Sequence, residues 1–95
     1  MYQQKQIDMQ VHILLSTARS DNHTQIENAY TDFKEAQKDM RERFESSKKF
    51  WEGIDTTQYQ EVRIGCYDSY AEAYAIDEDY EETGMSWAIE TITVK

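Results

Sequence analysis

The sequence predicts a small single-domain α+β protein, and three observations support this fold class. A run of alternating apolar residues lies near the N-terminus, a long stretch with helical periodicity follows it, and two further alternating runs lie in the C-terminal half. The chain of 95 residues has the length of one domain, residues 1–95. The predicted order is β-α-β-α-β, with a three-stranded sheet and one long amphipathic helix. A second prediction, β-α-β-β-β with a C-terminal meander, stays open because one segment fits either a helix or a strand.

The first strand is predicted near the N-terminus. Five apolar residues occur there at every second position: Ile7, Met9, Val11, Ile13 and Leu15. Alternation at period two places such side chains on one side of a strand. We therefore expect this side to be buried, and we expect the other side, which includes His12, to be mostly polar and exposed. A loop is predicted to follow over residues 16–22.

A long helix is predicted over residues 24–52. Thr24 and Glu27 have the spacing of a capping box, and Gly53 is a typical residue after a helix end. Apolar residues then recur at spacings of three and four, as on the buried side of a helix: Ile26, Tyr30, Phe33, Met40, Phe44 and Trp51. We expect this side to pack against the sheet.

Two more strands are predicted after the helix. Residues 61–67 alternate, with Val62, Ile64 and Cys66 on one side, and this pattern makes Cys66 a small core residue. Residues 85–94 form the third strand. In that strand Trp87 and Ile89 are predicted to lie on the opposite side from Ile92 and Val94.

The segment between these two strands, residues 70–81, is the ambiguous one. Ser69 and Glu72 form a second capping-box pattern, and the alanines that follow favour a short helix that Gly84 would end. The rival prediction is a strand, because Tyr70, Glu72, Tyr74 and Ile76 also alternate. We predict the helix here.

The charge is distributed unevenly along the chain. Residues 1–53 contain eight Lys/Arg and nine Asp/Glu, whereas residues 54–95 contain two and ten, and the formal net charge is −9. Because residues 54–95 are strongly acidic, they repel phosphate and anionic lipid and attract basic surfaces. Direct binding to nucleic acid or to a membrane is therefore not expected. A single cysteine, and no apolar run long enough for a leader or a span, predict a cytoplasmic protein.

No pattern in the sequence indicates an enzyme. There is no glycine-rich phosphate loop and no nucleophile turn. His12, His23 and Cys66 are the only nitrogen or sulfur candidates for a metal, and they lie far apart in the sequence, whereas zinc needs three or four ligands. We therefore predict no catalytic residue, no metal and no cofactor.

The candidate partner-binding residues are the acids and tyrosines between residues 68 and 82. Five of the six residues from 77 to 82 are acidic, and tyrosine is common in protein interfaces. The full set is Asp68, Tyr70, Glu72, Tyr74, Asp77, Glu78, Asp79, Tyr80, Glu81 and Glu82. The alternative is that this run is only the solvated end of a helix and that the tyrosines complete a small core.

These observations predict a non-enzymatic protein-binding module. It would act as an inhibitor or regulator that occupies a basic, nucleic-acid-binding site on a partner protein by charge mimicry. In size and charge the chain resembles small inhibitors that phages and mobile elements encode. The alternative is a structural or assembly protein that forms a homo-oligomer, such as a homodimer, through the long helix or the sheet edges.

Overall fold

The computed structural model describes residues 9–94 and shows a helix packed against one side of a five-stranded antiparallel sheet. The elements are β1 (Met9–Ala18), β2 (His23–Tyr30), α1 (Phe33–Glu52), β3 (Glu61–Cys66), β4 (Tyr70–Ile76) and β5 (Glu82–Val94). The strand order is β2-β1-β5-β4-β3. The α+β class is confirmed, whereas the predicted three-stranded sheet is wrong because two further segments are strands.

The first of these segments was predicted to begin the long helix. Residues 23–30 instead form β2, which pairs with β1 from Ala18↔His23 to His12↔Tyr30, with a bulge between Leu14 and Leu15. The turn before β2 contains Asn22 in the left-handed conformation (φ 57°), which asparagine tolerates better than most residues. Pairing with β1 therefore gives this segment the backbone hydrogen bonds of a sheet in place of those of a helix.

The helix itself is shorter than predicted and begins with a different cap. Asp32 is the N-cap residue, and its Oδ1 accepts a hydrogen bond from the backbone N–H of Lys34. Gly53 follows the last helical residue, as predicted. At the β2 side, Arg43 of α1 donates to Glu27 and Asp39, and Tyr30 donates to Asp39 across 2.6 Å. These contacts attach α1 to the edge strand.

The ambiguous segment forms β4, so the predicted helix over residues 70–81 is wrong. It pairs with β3 on one side and with β5 on the other, which gives the C-terminal meander of the second prediction. Ala71, Ala73 and Ala75 are fully buried on the helix side of the sheet. Their small side chains let α1 approach closely, and Trp51 Nε1 donates to the Ala73 carbonyl across 3.1 Å.

The side of β1 that faces α1 is opposite to the predicted one. His12, Leu14 and Ser16 are buried and belong to the helix side, next to Trp87 and Ile89 of β5. The odd-numbered apolar residues from Met9 to Leu15 therefore lie on the other side of the sheet. We call this side, opposite α1, the outer face. Ile7 lies outside the described residues.

The core lies between α1 and the helix side of the sheet. Its buried members are Leu14, Ala36, Met40, Phe44, Trp51, Ala71, Ala73, Ala75, Trp87 and Ile89. The predicted alternation of β5 is confirmed, since Trp87 and Ile89 belong to this core whereas Ile92 and Val94 are half exposed. In β3, Val62 packs against the core, but Ile64, which was predicted on the same side, is 39 % exposed. Cys66 is only partly buried at its margin, and burial raises the pKa of its thiol. Within residues 9–94, no helix combines the length and the hydropathy that crossing a membrane requires.

Candidate functional site

The turn between β4 and β5 is closed by one carboxylate. Oδ1 of Asp77 accepts hydrogen bonds from the backbone N–H groups of Asp79, at 2.9 Å, and of Glu81, at 3.0 Å. The Asp77 N–H donates to the Glu81 carbonyl, and the Tyr80 N–H donates to the Asp77 carbonyl. We call residues 77–81 the acidic turn. Asp77 therefore holds the turn together, and residues 78–81 are exposed to solvent.

The acidic turn presents three carboxylates and one phenol. Glu78, Asp79 and Glu81 are exposed, and no ion pair among residues 9–94 involves them. Tyr80 is 77 % exposed and adopts the left-handed conformation, with φ 64°. A non-glycine residue in this conformation is uncommon. Two backbone–backbone hydrogen bonds and the two that the Asp77 carboxylate accepts hold it there. The ring is therefore displayed on ordered backbone.

Two predicted site residues next to the turn are engaged inside the molecule. Glu82 binds Arg19, whose Nη2 and Nε lie 2.7 and 2.8 Å from Glu82 Oε1. Tyr74 is only 3 % exposed on the outer face, because the guanidinium of Arg19 lies over its ring, 4.3 Å from the centroid. Arg63 donates to the Tyr74 hydroxyl from the other side. Tyr74 is thus not accessible to a partner.

The remaining predicted residues lie at the opposite end of β4. Tyr70 and Glu72 share a hydrogen bond on the outer face, and this bond and burial together raise the pKa of Tyr70, with burial the larger cause. Asp68 is exposed in the turn before β4, and its carbonyl accepts from Gln37 of α1. The two ends of the seven-residue strand β4 lie about 20 Å apart, at about 3.3 Å per residue step. The ten predicted residues therefore form two groups and not one patch.

Strand pairing brings further acids to the end that carries the acidic turn. Glu61 pairs with Ile76 at the start of β3. Asp21 lies in the β1–β2 turn, in which the Arg19 N–H donates to the Gly84 carbonyl of β5. A groove runs between the two turns and is lined by Arg19, Ser20, Asn22, Tyr80, Glu81, Glu82 and Thr83. Asp21 could not be placed here from the sequence, because nothing in residues 16–22 indicates which hairpin they would meet.

The outer face carries an apolar surface that the sequence did not assign to solvent. Its members come from β1, β2 and β5: Met9, Val11, Ile13, Leu15, Ile26, Ile92 and Val94. Ile26 is 67 % exposed, Met9 54 %, Ile92 49 % and Val94 47 %, whereas Val11, Ile13 and Leu15 are partly buried against one another. The alternation in β1 is the signal for its four residues, and the prediction that this side is buried against the helix is wrong. In β5 the sequence predicts that Ile92 and Val94 lie opposite Trp87 and Ile89, as they do.

Other chemistry-bearing side chains are used in packing. His12 is buried, its Nδ1 lies 2.8 Å from Thr91 Oγ1, and its ring lies against Phe33. His23 is exposed in β2, and Cys66 lies beside β4 on the helix side. In the part of the chain that the structure describes, no three His, Cys, Asp or Glu side chains are grouped so that they could hold a metal ion.

Comparisons with protein-family models, with curated proteins and with solved structures find no match to this chain.

Proposed function

We propose that this protein is a non-enzymatic binding module whose acidic turn occupies a basic, nucleic-acid-binding site on a partner protein. The observation that supports this proposal is the display of Glu78, Asp79 and Glu81 together with exposed Tyr80 on a turn fixed by Asp77. An inhibitor or regulator of this kind needs no catalytic group. It needs negative charge at the spacing of a phosphate backbone, on a surface that does not reorganise.

The physical basis is the free charge of the turn. Duplex DNA carries one negative charge per about 1.7 Å of helix axis, and the turn offers a coarser array of three exposed carboxylates within residues 78–81. Carboxylates without internal cations attract the Lys and Arg side chains that would otherwise contact phosphates. The groove beside Tyr80 adds Glu81 and a ring face, which together suit a basic side chain of the partner.

A displacement assay tests the proposal. A panel of purified nucleic-acid-binding domains is loaded with a fluorescent DNA duplex, and the protein is titrated in over a salt series. We expect release of the duplex from at least one member, with an affinity that falls as salt rises. The triple variant Glu78→Gln, Asp79→Asn, Glu81→Gln should weaken release by about tenfold to a hundredfold, because three exposed ion pairs contribute up to about 1 kcal/mol each.

The matched control removes three charges from the other end of the sheet. The variant Asp68→Asn, Glu72→Gln, Glu90→Gln changes the net charge equally and should release the duplex nearly as well as the unmodified protein. Equal losses for the two triple variants would show that only net charge matters. That result, or a failure to release any duplex, would contradict the proposal that the acidic turn occupies the basic site of the partner.

The second candidate function is a structural or assembly protein. It is favoured by the apolar surface of the outer face, which nothing among residues 9–94 covers. The apolar side of α1 packs against the sheet, so this side of the helix is not free to form a homo-oligomer. Under this function the triple variant of the acidic turn should keep the full assembly size in light scattering.

A further inference from the structure

The first residues of β1 and the last residues of β5 form a ribbon that extends past the strands beside it. Among residues 9–94, Met9–Val11 pair only with Ile92–Val94, because β2 pairing begins at His12 and β4 pairing ends at Ala88. On the helix side this ribbon carries Gln10 and Thr93, and on the outer face it carries apolar residues. Neither side is covered within residues 9–94, yet only the outer side is apolar.

This asymmetry indicates that the outer side of the ribbon is buried in the working form of the protein. An isolated two-stranded ribbon is marginally stable in water, and it needs an apolar side packed on something. The apolar side is continuous with Ile13, Leu15 and Ile26 on the adjoining sheet. Together they form the apolar surface already described, which includes four large side chains that are about half exposed or more.

We propose that a second copy of this chain covers the outer face, so that two sheets pack face to face in a symmetric dimer. The area suits this arrangement. Five strands about 4.8 Å apart, with a mean length of about nine residues, give a face of about 24 by 30 Å, or about 700 Å². Stable interfaces of standard size bury about 600–1,000 Å² from each partner, and this range includes the area of the face. The dimer would have helices outside and a β-sandwich core, with the sheets about 10 Å apart.

The charges favour a second copy as the occupant. A symmetric contact places the same residues of both chains near one another, so the contact surface must carry little net charge. On the outer face Arg19 is neutralised by Glu82, and Arg63 by Glu61. This leaves two acids without an ion pair among residues 9–94: Glu72 on β4, and Glu90 on β5, which pairs with Ile13 beside the apolar residues. The apolar surface itself contains no other charge. The acidic turn stays at the end of the sheet, where two copies need not approach each other.

Sedimentation equilibrium of the full chain tests the proposal. We expect a species of twice the 11.3 kDa chain mass that dissociates on dilution. The variants Ile26→Lys and Ile92→Lys should each raise the dissociation constant by about a hundredfold or more, because an unpaired ammonium group would be buried at the interface. Both positions are about half exposed or more in the single chain, so its fold should survive, and circular dichroism checks this.

The matched control is Thr93→Lys, which adds the same charge to the neighbouring residue of β5 on the opposite side. It should leave the dissociation constant within about threefold of the original, as is usual for an exposed substitution. A monomer at every concentration up to the solubility limit would overturn the proposal. A dimer that Ile26→Lys and Ile92→Lys leave intact, or that Thr93→Lys disrupts equally, would also overturn it.

Salt separates this proposal from the proposed function. The dimer joins two chains of net charge −9, so added salt should tighten it, whereas docking of the acidic turn on a basic partner should weaken with salt. The outer-face variants leave the acidic turn unchanged, and the acidic-turn triple variant leaves the apolar surface unchanged. Loss of one activity with retention of the other therefore identifies which of the two proposals has failed.

Discussion

Arg19 covers Tyr74. The guanidinium carbon lies 4.3 Å from the centre of the Tyr74 ring, and the same guanidinium binds Glu82 of the next strand. The two residues belong to β4 and to the turn after β1, so this contact ties three segments together on the outer face. It also explains why a tyrosine in a strongly acidic stretch is buried and why Glu82 is not free for a partner.

Removing Arg19 should destabilise the protein and expose Tyr74. We expect Arg19→Ala to lower the free energy of unfolding by about 1–2 kcal/mol, through loss of the cation–π contact and of a partly buried ion pair. Urea unfolding followed by tryptophan fluorescence measures this change. The comparison variant is Arg63→Ala, whose guanidinium carbon lies 6.0 Å from the same ring, and its effect should be smaller. Equal effects would mean that stacking on Tyr74 contributes nothing specific.

Stability should depend on pH through Asp39. Although burial opposes its charge, the hydrogen bonds from Tyr30 and Arg43 outweigh burial and hold the pKa of Asp39 below its ordinary 3.8. A lowered folded-state pKa stabilises the protein above the unfolded pKa, and this contribution is lost as pH falls through the folded value. Asp39→Asn should therefore cost about 1 kcal/mol at neutral pH, a modest value because Arg43 is partly exposed.

The pH profile distinguishes this charge effect from a packing effect. The difference in unfolding free energy between Asp39→Asn and the original protein should be constant above about pH 5 and should shrink as pH falls below the ordinary carboxyl value. Glu42→Gln, an exposed change on the same helix, should stay within about 0.5 kcal/mol throughout. A difference for Asp39→Asn that is unchanged at low pH would show that the carboxylate charge has no part in it.

Gly84 should not tolerate any side chain. Its φ is +130°, and an added Cβ would lie 2.4 Å from the Ala73 carbonyl oxygen and 2.6 Å from the Tyr74 Cα. Gly84→Ala should lower the free energy of unfolding by about 2–3 kcal/mol, because both the conformation and the close approach are strained. Gly53→Ala is the control, since its nearest contacts are 3.6 and 3.7 Å. Thermal unfolding of both variants should rank Gly53→Ala as near neutral.

Asp77 should act through hydrogen-bond geometry and not through its charge. Asp77→Asn keeps an oxygen acceptor for the Asp79 and Glu81 N–H groups, so the turn should persist and stability should change by less than about 0.5 kcal/mol. Asp77→Ala removes the acceptor and should cost about 1 kcal/mol. Amide hydrogen exchange at residues 79 and 81 should quicken only in the alanine variant. Equal exchange in both variants would show that the carboxylate does not hold the turn.

Sequence patterns predicted β3, β5 and the end of α1 because no pattern for a different secondary structure overlaps those segments. The errors at residues 23–30 and 70–76 have one cause. Thr24 and Ser69 begin capping-box patterns, and the alanines of β4 favour a helix. Strand pairing outweighs these local preferences, with β1 in the case of β2 and with both β3 and β5 in the case of β4. Ala73 is small because Trp51 packs on it, and not because it belongs to a helix.

The sequence predicted the composition of the candidate site but not its arrangement in space. Glu78, Asp79, Tyr80 and Glu81 are exposed on one turn, in agreement with the expectation of an accessible acidic run. Their separation from Tyr70 and Glu72 depends on β4 being a strand. Residues twelve positions apart, as Tyr70 and Glu82 are, lie near one another in many hairpins. Here the two ends of β4 are separated by about 20 Å of strand.

The sequence by itself determined that the chain is a small α+β domain with an acidic C-terminal half and an apolar alternation in β1. Only the tertiary structure decided which side of that alternation α1 would cover. Both sides of β1 contain apolar residues, so periodicity alone cannot choose between them. Small residues on the helix side let Met40, Phe44 and Trp51 approach the sheet closely. The more apolar side, from Met9 to Leu15, therefore faces away from α1, where we propose that a second copy covers it.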